Sequence, residues 1–503
     1  MDTTTSGPVV ATRDGKVQGR RHGAVDVFLG IPYATAARFA APVAPEAWTG
    51  TFDAGAIGPI APQEAGAQFQ RADLVQSEDC LSVNVWTPAV AGDGRPVLVW
   101  IHGGAFRSGS GASPLYEGSR LAARGDVVVV TLNYRLGVLG FLGHDELAEG
   151  ADGPKANWGL LDQVEALRWV RDNAAAFGGD PDNVTIFGES AGAVSVSLLC
   201  TMPSARGLFH KAVVQSGAPI TATWAATEEL AEAVAAAAGV ADVAALRTVP
   251  VAEVIAAQAA VTQGGVGRMF TPCLDGHVLS DPPLRALAAG SAAGVPMIFG
   301  TNVDEWKLFA PADPRSRTLD EDRLRLRLAR WWPADRVDAV IDAVRGARAG
   351  RGERVEPRDL FFAIESDRIF RVPTLHAADE QVAHAPTFAY LFGWGSPAMR
   401  GWLGACHGLE IAFVFGNQGS GELAAFTGAG PDADALGEQM MDAWIAFART
   451  GDPSTEALPW PGHDATTRPT MVFDVGSHAE DAPREVERAA VEAAGRGVPQ
   501  AHV

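Results

Sequence analysis

The sequence predicts an α/β fold with a mostly parallel central sheet flanked by helices, and three observations lead to this. Short runs of β-branched and other apolar residues recur along the 503 residues. These runs are apolar almost throughout, as in strands that a parallel sheet buries on both faces. Longer segments with helical spacing separate them, and this alternation is typical of strand–helix–strand crossovers.

The predicted elements can be placed on the chain in order. Six apolar runs predict strands at 97–101, 127–132, 184–187, 212–214, 297–299 and 388–392. Residues 157–177 carry Leu160, Val164 and Leu167 at spacings of three and four, which predicts an amphipathic helix. Two glycines follow at 178 and 179, where a helix of this length is expected to end.

Composition and length favour one large globular domain. The chain is 47% hydrophobic and 20% charged, which excludes disorder, collagen and coiled coil as overall descriptions. It shows no fixed-period repeat and no linker that divides it. We therefore expect a single domain over 1–503, with helical excursions around 221–265 and 315–370.

The charge of the chain bears on its partners. Forty Lys and Arg against 60 Asp and Glu give a net charge of −20. Such a protein repels phosphate backbones and anionic lipid surfaces, so we expect neither nucleic acid nor membrane as a partner. The sequence is compatible with a monomer or a small homo-oligomer.

The start of the chain and its cysteines bear on the compartment. The first residues show neither the basic nor the apolar region of a signal peptide, and no apolar run reaches membrane-spanning length. Four cysteines without a CxxC pair argue against a zinc site and a disulfide framework. We expect a cytoplasmic protein that uses no metal and no cofactor.

The strongest chemical signal is the segment VTIFGESAG at 184–192. It is a G-x-S-x-G motif directly after an apolar run and directly before a small apolar segment that can begin a helix. Glycines on both sides allow strand and helix to approach closely, and the sharp turn exposes the Ser190 hydroxyl. Ser190 is therefore the candidate nucleophile. A hydroxyl needs a base at neutral pH, and the base needs an orienting acid.

A second glycine-rich segment, HGGAF at 102–106, follows the predicted strand 97–101. Its backbone amides are uncovered, and its position is that of the oxyanion element of esterases. We expect the amides of Gly104, Ala105 and Ala191 to bind the oxyanion. Loss of one such donor typically costs about 3–4 kcal/mol of transition-state stabilisation.

Together these segments resemble the type-B carboxylesterases, the carboxylesterase/cholinesterase family, and in particular bacterial para-nitrobenzyl esterases. The matching motifs are FLGIPYA (28–34), SEDCLSVNV (77–85), WIHGGAFRSG (100–109), NYRLG (133–137), GGDP (178–181), LFHKAVVQSG (208–217), AWIAF (443–447) and TGDP (450–453). The resemblance implies an α/β-hydrolase fold with helical insertions. It also implies hydrolysis of small-molecule esters through an acyl-enzyme and a Ser-His-Glu triad.

The resemblance also places the other two triad residues. The family's acid lies in a G-x-x-x-D-E-G segment, matched here by GTNVDEW at 300–306, so Glu305 is the expected acid. Asp304 is its local competitor, and Trp306 stands where the family usually has glycine. HGLEIAFVFG at 407–416 resembles the segment around the catalytic histidine, which implies that His407 is the base. With an ordinary histidine, activity would fall as pH drops through roughly 6–7.

Further residues are implied by the same resemblance. Glu189, Ser216 and Glu410 match a buried polar network near the histidine, whose role is structural or catalytic. Glu78 and Arg135 match a buried salt bridge of the family. The disulfide of many relatives is expected to be absent, because Ala61 stands where the partner of Cys80 would be.

Three alternatives share this fold. A carbamate or amide hydrolase would use the same triad, a non-catalytic binding protein would lack the nucleophile, and a lipase would need a large apolar lid. Substrate preference depends on the pocket walls, and core packing is expected for at least half of the candidates. These candidates are Met269, Phe270, Trp306, Phe309, Phe361 and Phe362.

Overall fold

The computed structural model describes residues 5–64, 73–92, 94–148, 150, 153–262 and 269–495. One large sheet runs through these residues. Its strands are β1 (Thr5–Ala11), β2 (Lys16–His22), β3 (Val25–Pro32), β4 (Thr51–Asp53), β5 (Ser82–Thr87), β6 (Arg95–Ile101), β7 (Val128–Leu132), β8 (Gly179–Glu189), β9 (Lys211–Gln215), β10 (Met297–Asn302), β11 (Thr387–Phe392), β12 (Pro469–Phe473) and β13 (His478–Asp481).

The sheet is parallel at its centre and antiparallel towards its edges. The strand order is β1-β2-β3-β5-β7-β6-β8-β9-β10-β11-β12-β13, and β4 pairs with β2. Every pair from β7 to β12 is parallel, whereas the pairs β1–β2, β2–β3, β3–β5, β5–β7 and β12–β13 are antiparallel. The short strand β4 pairs with β2 in parallel. All six strands predicted from apolar runs lie in the central parallel part, so the predicted fold class is confirmed.

Helices cover both faces of the sheet. They are α1 (Ser119–Gly125), α2 (Gly137–Phe141), α3 (Trp158–Asn173), α4 (Ala191–Leu199), α5 (Trp224–Ala237), α6 (Val251–Thr262), α7 (Pro283–Ala288), α8 (Glu321–Leu328), α9 (Ala334–Gly350), α10 (Pro357–Ser366), α11 (Val372–Gln381), α12 (Ile411–Val414), α13 (Ala424–Thr427), α14 (Pro431–Thr450) and α15 (Glu485–Ala493). A π-helical turn, Asp367–Arg371, joins α10 to α11. The helix predicted at 157–177 is α3 with one further 3-10 turn, and Gly178 follows in the left-handed region.

Alternation along the central strands builds two cores. Val97, Val99 and Ile101 of β6 point to one face, and Leu98 and Trp100 point to the other. The helices α8 to α10, which lie in the excursion around 315–370, bury a third apolar cluster of their own. The parallel strands all end at one edge of the sheet, and loops at that edge hold the candidate site.

No helix in the described ranges is long and apolar enough to cross a membrane. The same residues contain no group of three or more His, Cys, Asp or Glu side chains placed to hold a metal ion. All four cysteines are buried and free, so Cys80 forms no disulfide.

Candidate active site

The nucleophile candidate lies in a strained turn between β8 and α4. Ser190 has φ 55° and ψ −124°, a conformation that costs free energy in a residue with a side chain. A Cβ on Gly188 or Gly192 would lie 2.6 or 2.0 Å from the carbonyl oxygen of Ile101, so both positions require glycine. The Ser190 amide donates to the Gln215 carbonyl at 2.9 Å, which fixes the turn to β9. The side chain of Ser190 is half-buried, at the surface of the site.

The acid candidate follows β10. Glu305 is fully buried, and its Oε1 accepts hydrogen bonds from Ser216 Oγ at 2.5 Å and from the Asn302 amide at 2.7 Å. Its Oε2 lies 2.6 Å from Nδ1 of His407. Because the first oxygen is held by two donors, the second is fixed towards the imidazole.

The base candidate, His407, lies in a loop after β11 and is 5% exposed. Its Nδ1 contacts Glu305, and its Nε2 lies 3.0 Å from Glu189 Oε1 without the alignment of a hydrogen bond. Burial lowers the pKa of His407, but the charges of Glu189 and Glu305 outweigh it and hold the pKa well above the ordinary value. This direction differs from the ordinary histidine pKa expected from the sequence, and its cause is the pair of carboxylates that face the ring.

Asp304, the neighbour of Glu305, points away from the histidine. Its Oδ2 accepts from the Ala405 amide at 3.2 Å, and its Oδ1 lies 2.9 Å from Lys307 Nζ. The two adjacent carboxylates thus have separate tasks: Glu305 contacts the imidazole, and Asp304 fastens the loop that carries it.

A buried polar network surrounds the triad candidates. Glu410 Oε2 accepts from Asn302 Nδ2 at 2.6 Å, and Oε1 accepts from Gln215 Nε2 at 3.2 Å. Burial raises the pKa of Glu410 to about 8, with the charges of Glu189 and Glu305 acting in the same direction. The three supporting residues expected from the sequence are therefore all close to the histidine or its acid. Sequence reasoning missed Gln215 and Asn302, although both end strands at the edge where the site lies.

The candidate oxyanion loop is shaped by three consecutive residues with positive φ, the last of which is Phe106 at 56°. Gly104 has φ 113° and Ala105 has φ 54°. In the described part of the chain, no hydrogen bond is donated by the amides of Gly104, Ala105 or Ala191. A Cβ on Gly103 would lie 3.1 Å from the Cβ of Ser190, so this loop passes directly beside the nucleophile.

His102 fastens this loop. Its ring stacks on Tyr134 with centroids 4.4 Å apart, and its Nδ1 lies 2.8 Å from the Gly103 carbonyl oxygen. The Tyr134 hydroxyl donates to the His102 carbonyl at 2.7 Å. Burial lowers the pKa of His102 to about 4, so its ring stays neutral at working pH.

Aromatic side chains lie against the His407 ring. The centroids of Phe370 and Phe309 are 4.6 and 5.3 Å from it, and Trp306 lies 4.9 Å from Phe309. Of the candidate pocket walls, only Trp306 and Phe309 have ring contacts that lead to the histidine. Phe270, Phe361 and Phe362 are buried in apolar cores, and Met269 is exposed. Phe370, carried by the π-helical turn, was not predicted as a wall.

The expected salt bridge between Glu78 and Arg135 is absent, and that prediction is wrong. Arg135 pairs with Asp162 of α3 at 2.7 Å, and both side chains are almost fully buried. Glu78 binds Arg38, with Arg38 Nε 2.9 Å from Glu78 Oε2. Glu78 and Arg135 each have a charged partner, but the motifs that contain them do not specify which residue that partner is.

Known proteins match this chain over nearly its whole length. The model of the carboxylesterase family matches residues 6–493. A para-nitrobenzyl esterase of Bacillus subtilis is 39% identical over 495 residues, which cover 95% of this chain and 97% of that protein. A phenmedipham hydrolase of Pseudarthrobacter oxydans is 35% identical over 511 residues, which cover 96% of this chain and 97% of that protein.

A solved structure agrees with these relatives. The crystal structure of a carboxylesterase of Geobacillus stearothermophilus superposes with a TM-score of 0.86 at 40% identity, and covers 96% of this chain and 99% of its own. The sequence matches and the structure match therefore cover nearly the same residues and point to the same family. The chain belongs to the carboxylesterase family, with the α/β-hydrolase fold, and is a carboxylic ester hydrolase.

Proposed function

We propose that this ester hydrolase works through Ser190 as nucleophile, His407 as base and Glu305 as orienting acid. The observation that carries the proposal is the 2.6 Å contact between Glu305 Oε2 and His407 Nδ1. It joins the loops that follow β10 and β11, and His407 Nε2 lies 3.0 Å from Glu189, the chain neighbour of Ser190. A carboxylate at Nδ1 turns the other ring nitrogen, Nε2, to proton exchange with substrate and nucleophile, since its 3.0 Å contact with Glu189 is not an aligned hydrogen bond.

In the first half-reaction, neutral His407 takes the Ser190 hydroxyl proton as the serine oxygen attacks the ester carbonyl carbon. The negative charge moves to the carbonyl oxygen, where the amides of Gly104, Ala105 and Ala191 bind it. The amide of Ala191 starts α4, so the positive end of the helix dipole also faces this charge. His407 then protonates the leaving alcohol, and an acyl-enzyme remains on Ser190.

In the second half-reaction, His407 removes a proton from water, which attacks the acyl carbon. The same amides bind the second oxyanion, and Ser190 is released with its proton restored. Glu305 stabilises the imidazolium twice in each cycle. Its own position depends on Ser216 and on the Asn302 amide, so we assign these groups to positioning.

A carbamate hydrolase is the second candidate, favoured by the similarity to a phenmedipham hydrolase at 35% identity. The same triad would form a carbamoyl-enzyme, with the oxyanion amides in the same role. The two activities differ in the acyl part and in the rate of the second half-reaction. A comparison of an aryl acetate with the aryl carbamate of the same phenol separates them.

The partner that we propose is a small-molecule ester. Its hydrolysis by this mechanism uses no metal and no cofactor. We also propose a cytoplasmic location, which the four free cysteines support because a reducing compartment keeps thiols unpaired. The proposed assembly is a monomer or a small homo-oligomer.

The test of the mechanism is a pre-steady-state measurement with p-nitrophenyl acetate. An acyl-enzyme predicts a burst of p-nitrophenol equal to the concentration of active sites, followed by slower turnover, when the second half-reaction limits the rate. The burst should disappear in Ser190→Ala. A burst of full size in that variant would overturn the assignment of the nucleophile.

A further inference from the structure

We propose that Trp306 selects substrates by their alcohol part and forms the outer wall of a pocket for bulky aromatic leaving groups. This inference rests on the proposed function, because it takes His407 as the group that protonates the leaving alcohol. It concerns the residue that directly follows the orienting acid Glu305 in the chain.

The inner part of this pocket is formed by two phenyl rings that contact the catalytic imidazole. Phe370 lies 4.6 Å and Phe309 5.3 Å from the His407 ring, at interplanar angles of 44° and 45°. The two phenyl planes are within 3° of parallel, with centroids 6.3 Å apart. Both rings therefore flank the base, and Phe309 is only partly buried.

Contact with the imidazole identifies which end of the ester meets these rings. The leaving oxygen must come within hydrogen-bond distance of His407 Nε2 to receive its proton. The substituent on that oxygen must then leave the reaction centre past the side chains around the imidazole. Two phenyl rings next to the base are apolar and flat, which suits an aromatic alcohol attached through one carbon.

Trp306 extends this wall by one further ring. Its indole lies 4.9 Å from Phe309 and 6.4 Å from Phe370, and it is partly exposed. Its amide donates to Ser366 Oγ at 3.0 Å, so the backbone below the indole is fixed to α10. An alcohol with one ring reaches the phenyl pair, whereas an alcohol with two fused rings reaches the indole.

The polar neighbours of Trp306 favour an uncharged leaving group. Lys307 and Asp304, on the same short segment, form an ion pair at 2.9 Å and leave little net charge. Glu305 is buried and already bonded to His407. The exposed surface around Trp306 is thus aromatic and nearly neutral. It would bind a leaving group by stacking and by burial of apolar surface.

A reversed ester pair tests the proposal, because it places the same ring system on either side of the ester. In 2-naphthylmethyl acetate the naphthyl group leaves with the alcohol, and in methyl 2-naphthylacetate it stays on the acyl part. Trp306→Ala should lower kcat/KM for the first ester about tenfold, mainly through KM, as expected for one lost apolar contact surface. Trp306→Phe, which keeps a ring, should lose less.

The controls separate this pocket from general damage. Trp331→Ala removes another partly buried tryptophan, one that packs on Arg368 at 3.8 Å, and it should leave the ratio of the two esters unchanged. Ethyl acetate carries no ring, so its turnover in each variant reports whether the triad itself is still in place. If ethyl acetate and burst kinetics are intact but Trp306→Ala lowers the acyl ester instead, or both esters equally, the pocket assignment is wrong while the triad stands.

Discussion

Two regions of this protein bury many charged side chains, and they differ in the groups that surround the buried carboxylates. In the active site, Glu189, Glu305 and Glu410 surround one histidine, and Glu410 is held by amide groups alone. In the second region, which we call the C-terminal ion cluster, arginines surround the carboxylates. This cluster consists of Arg348, Arg351, Glu353, Asp367, Arg371, Arg484 and Glu487.

The pKa values show what this difference does. Burial raises the pKa of Glu410 to about 8, because no arginine compensates the lost hydration. Burial also raises the pKa of Glu353, but hydrogen bonds from Arg351 and Arg484 outweigh it and lower the pKa to about 2. The pKa of Glu410, which is held by amides, thus lies well above that of an ordinary carboxyl, whereas the arginines around Glu353 favour its ionised form and join the end of α9 to α15.

The largest expected effect is on the nucleophile. Ser190→Ala should keep the fold and lower kcat by on the order of 10⁴-fold or more, since both half-reactions pass through this oxygen. Initial rates on p-nitrophenyl acetate and a circular dichroism spectrum check both points. A folded variant with near wild-type turnover would place the chemistry elsewhere.

The next effect separates two adjacent carboxylates. Glu305→Gln should lower kcat by at least about 10²-fold, because a neutral amide stabilises the imidazolium poorly and favours the wrong tautomer. Asp304→Asn keeps an acceptor for the Ala405 amide and should mainly lower stability by weakening the pair with Lys307. The two variants are compared at equal folded fraction. Inactive Asp304→Asn with normal Glu305→Gln would contradict the triad.

A smaller effect concerns the pH profile. His407 acts as a base in its neutral form. The charges of Glu189 and Glu305 raise the pKa of His407, so the neutral form becomes dominant only at higher pH. Activity should therefore rise with pH through a value above that of an ordinary histidine. Glu189→Gln removes one negative charge, so the rising limb of kcat/KM should move to lower pH. An unchanged limb in that variant would show that Glu189 does not act on the histidine.

The C-terminal ion cluster should respond in stability and not in activity. Glu353→Gln should lower the free energy of unfolding at pH 7 by about 1–2 kcal/mol, a figure reduced for partial solvent screening. A lowered pKa makes this contribution complete above the ordinary value of 4.5, and it is lost as pH falls towards about 2. Urea unfolding at several pH values measures it. An equal difference between wild type and variant across that range would argue against the ion pairs as its source.

The predictability of the fold follows from burial. The parallel strands β6 to β11 were predicted because both their faces are buried, which makes their sequences apolar throughout. The strands β1, β2 and β4 were not predicted, since half-exposed strands such as Lys16–His22 mix polar and apolar residues. β3 and β5 are largely buried but were also missed, because polar residues such as Asp26 and Asn84 interrupt their apolar runs. Their pairing depends on neighbours that are distant in the sequence.

The site shows the same limit. Ser190, Glu305 and His407 each stand in a local motif, and the structure brings the acid and the histidine into contact. Phe370 was missed because its role depends on a π-helical turn that aims it at the histidine. The partner of Arg135 was wrong for the same reason: Asp162 faces it only after α3 packs against the sheet.

In the proposed mechanism Ser190 is the one residue acylated in turnover, and a covalent probe can locate it. A fluorophosphonate transfers its phosphonyl group to an activated serine, and mass spectrometry of the digested protein locates the modified residue. We expect one adduct per chain, on the peptide that contains Ser190, and a much slower reaction in Glu305→Gln. An adduct on another serine, or equal labelling of Ser190→Ala, would contradict this mechanism.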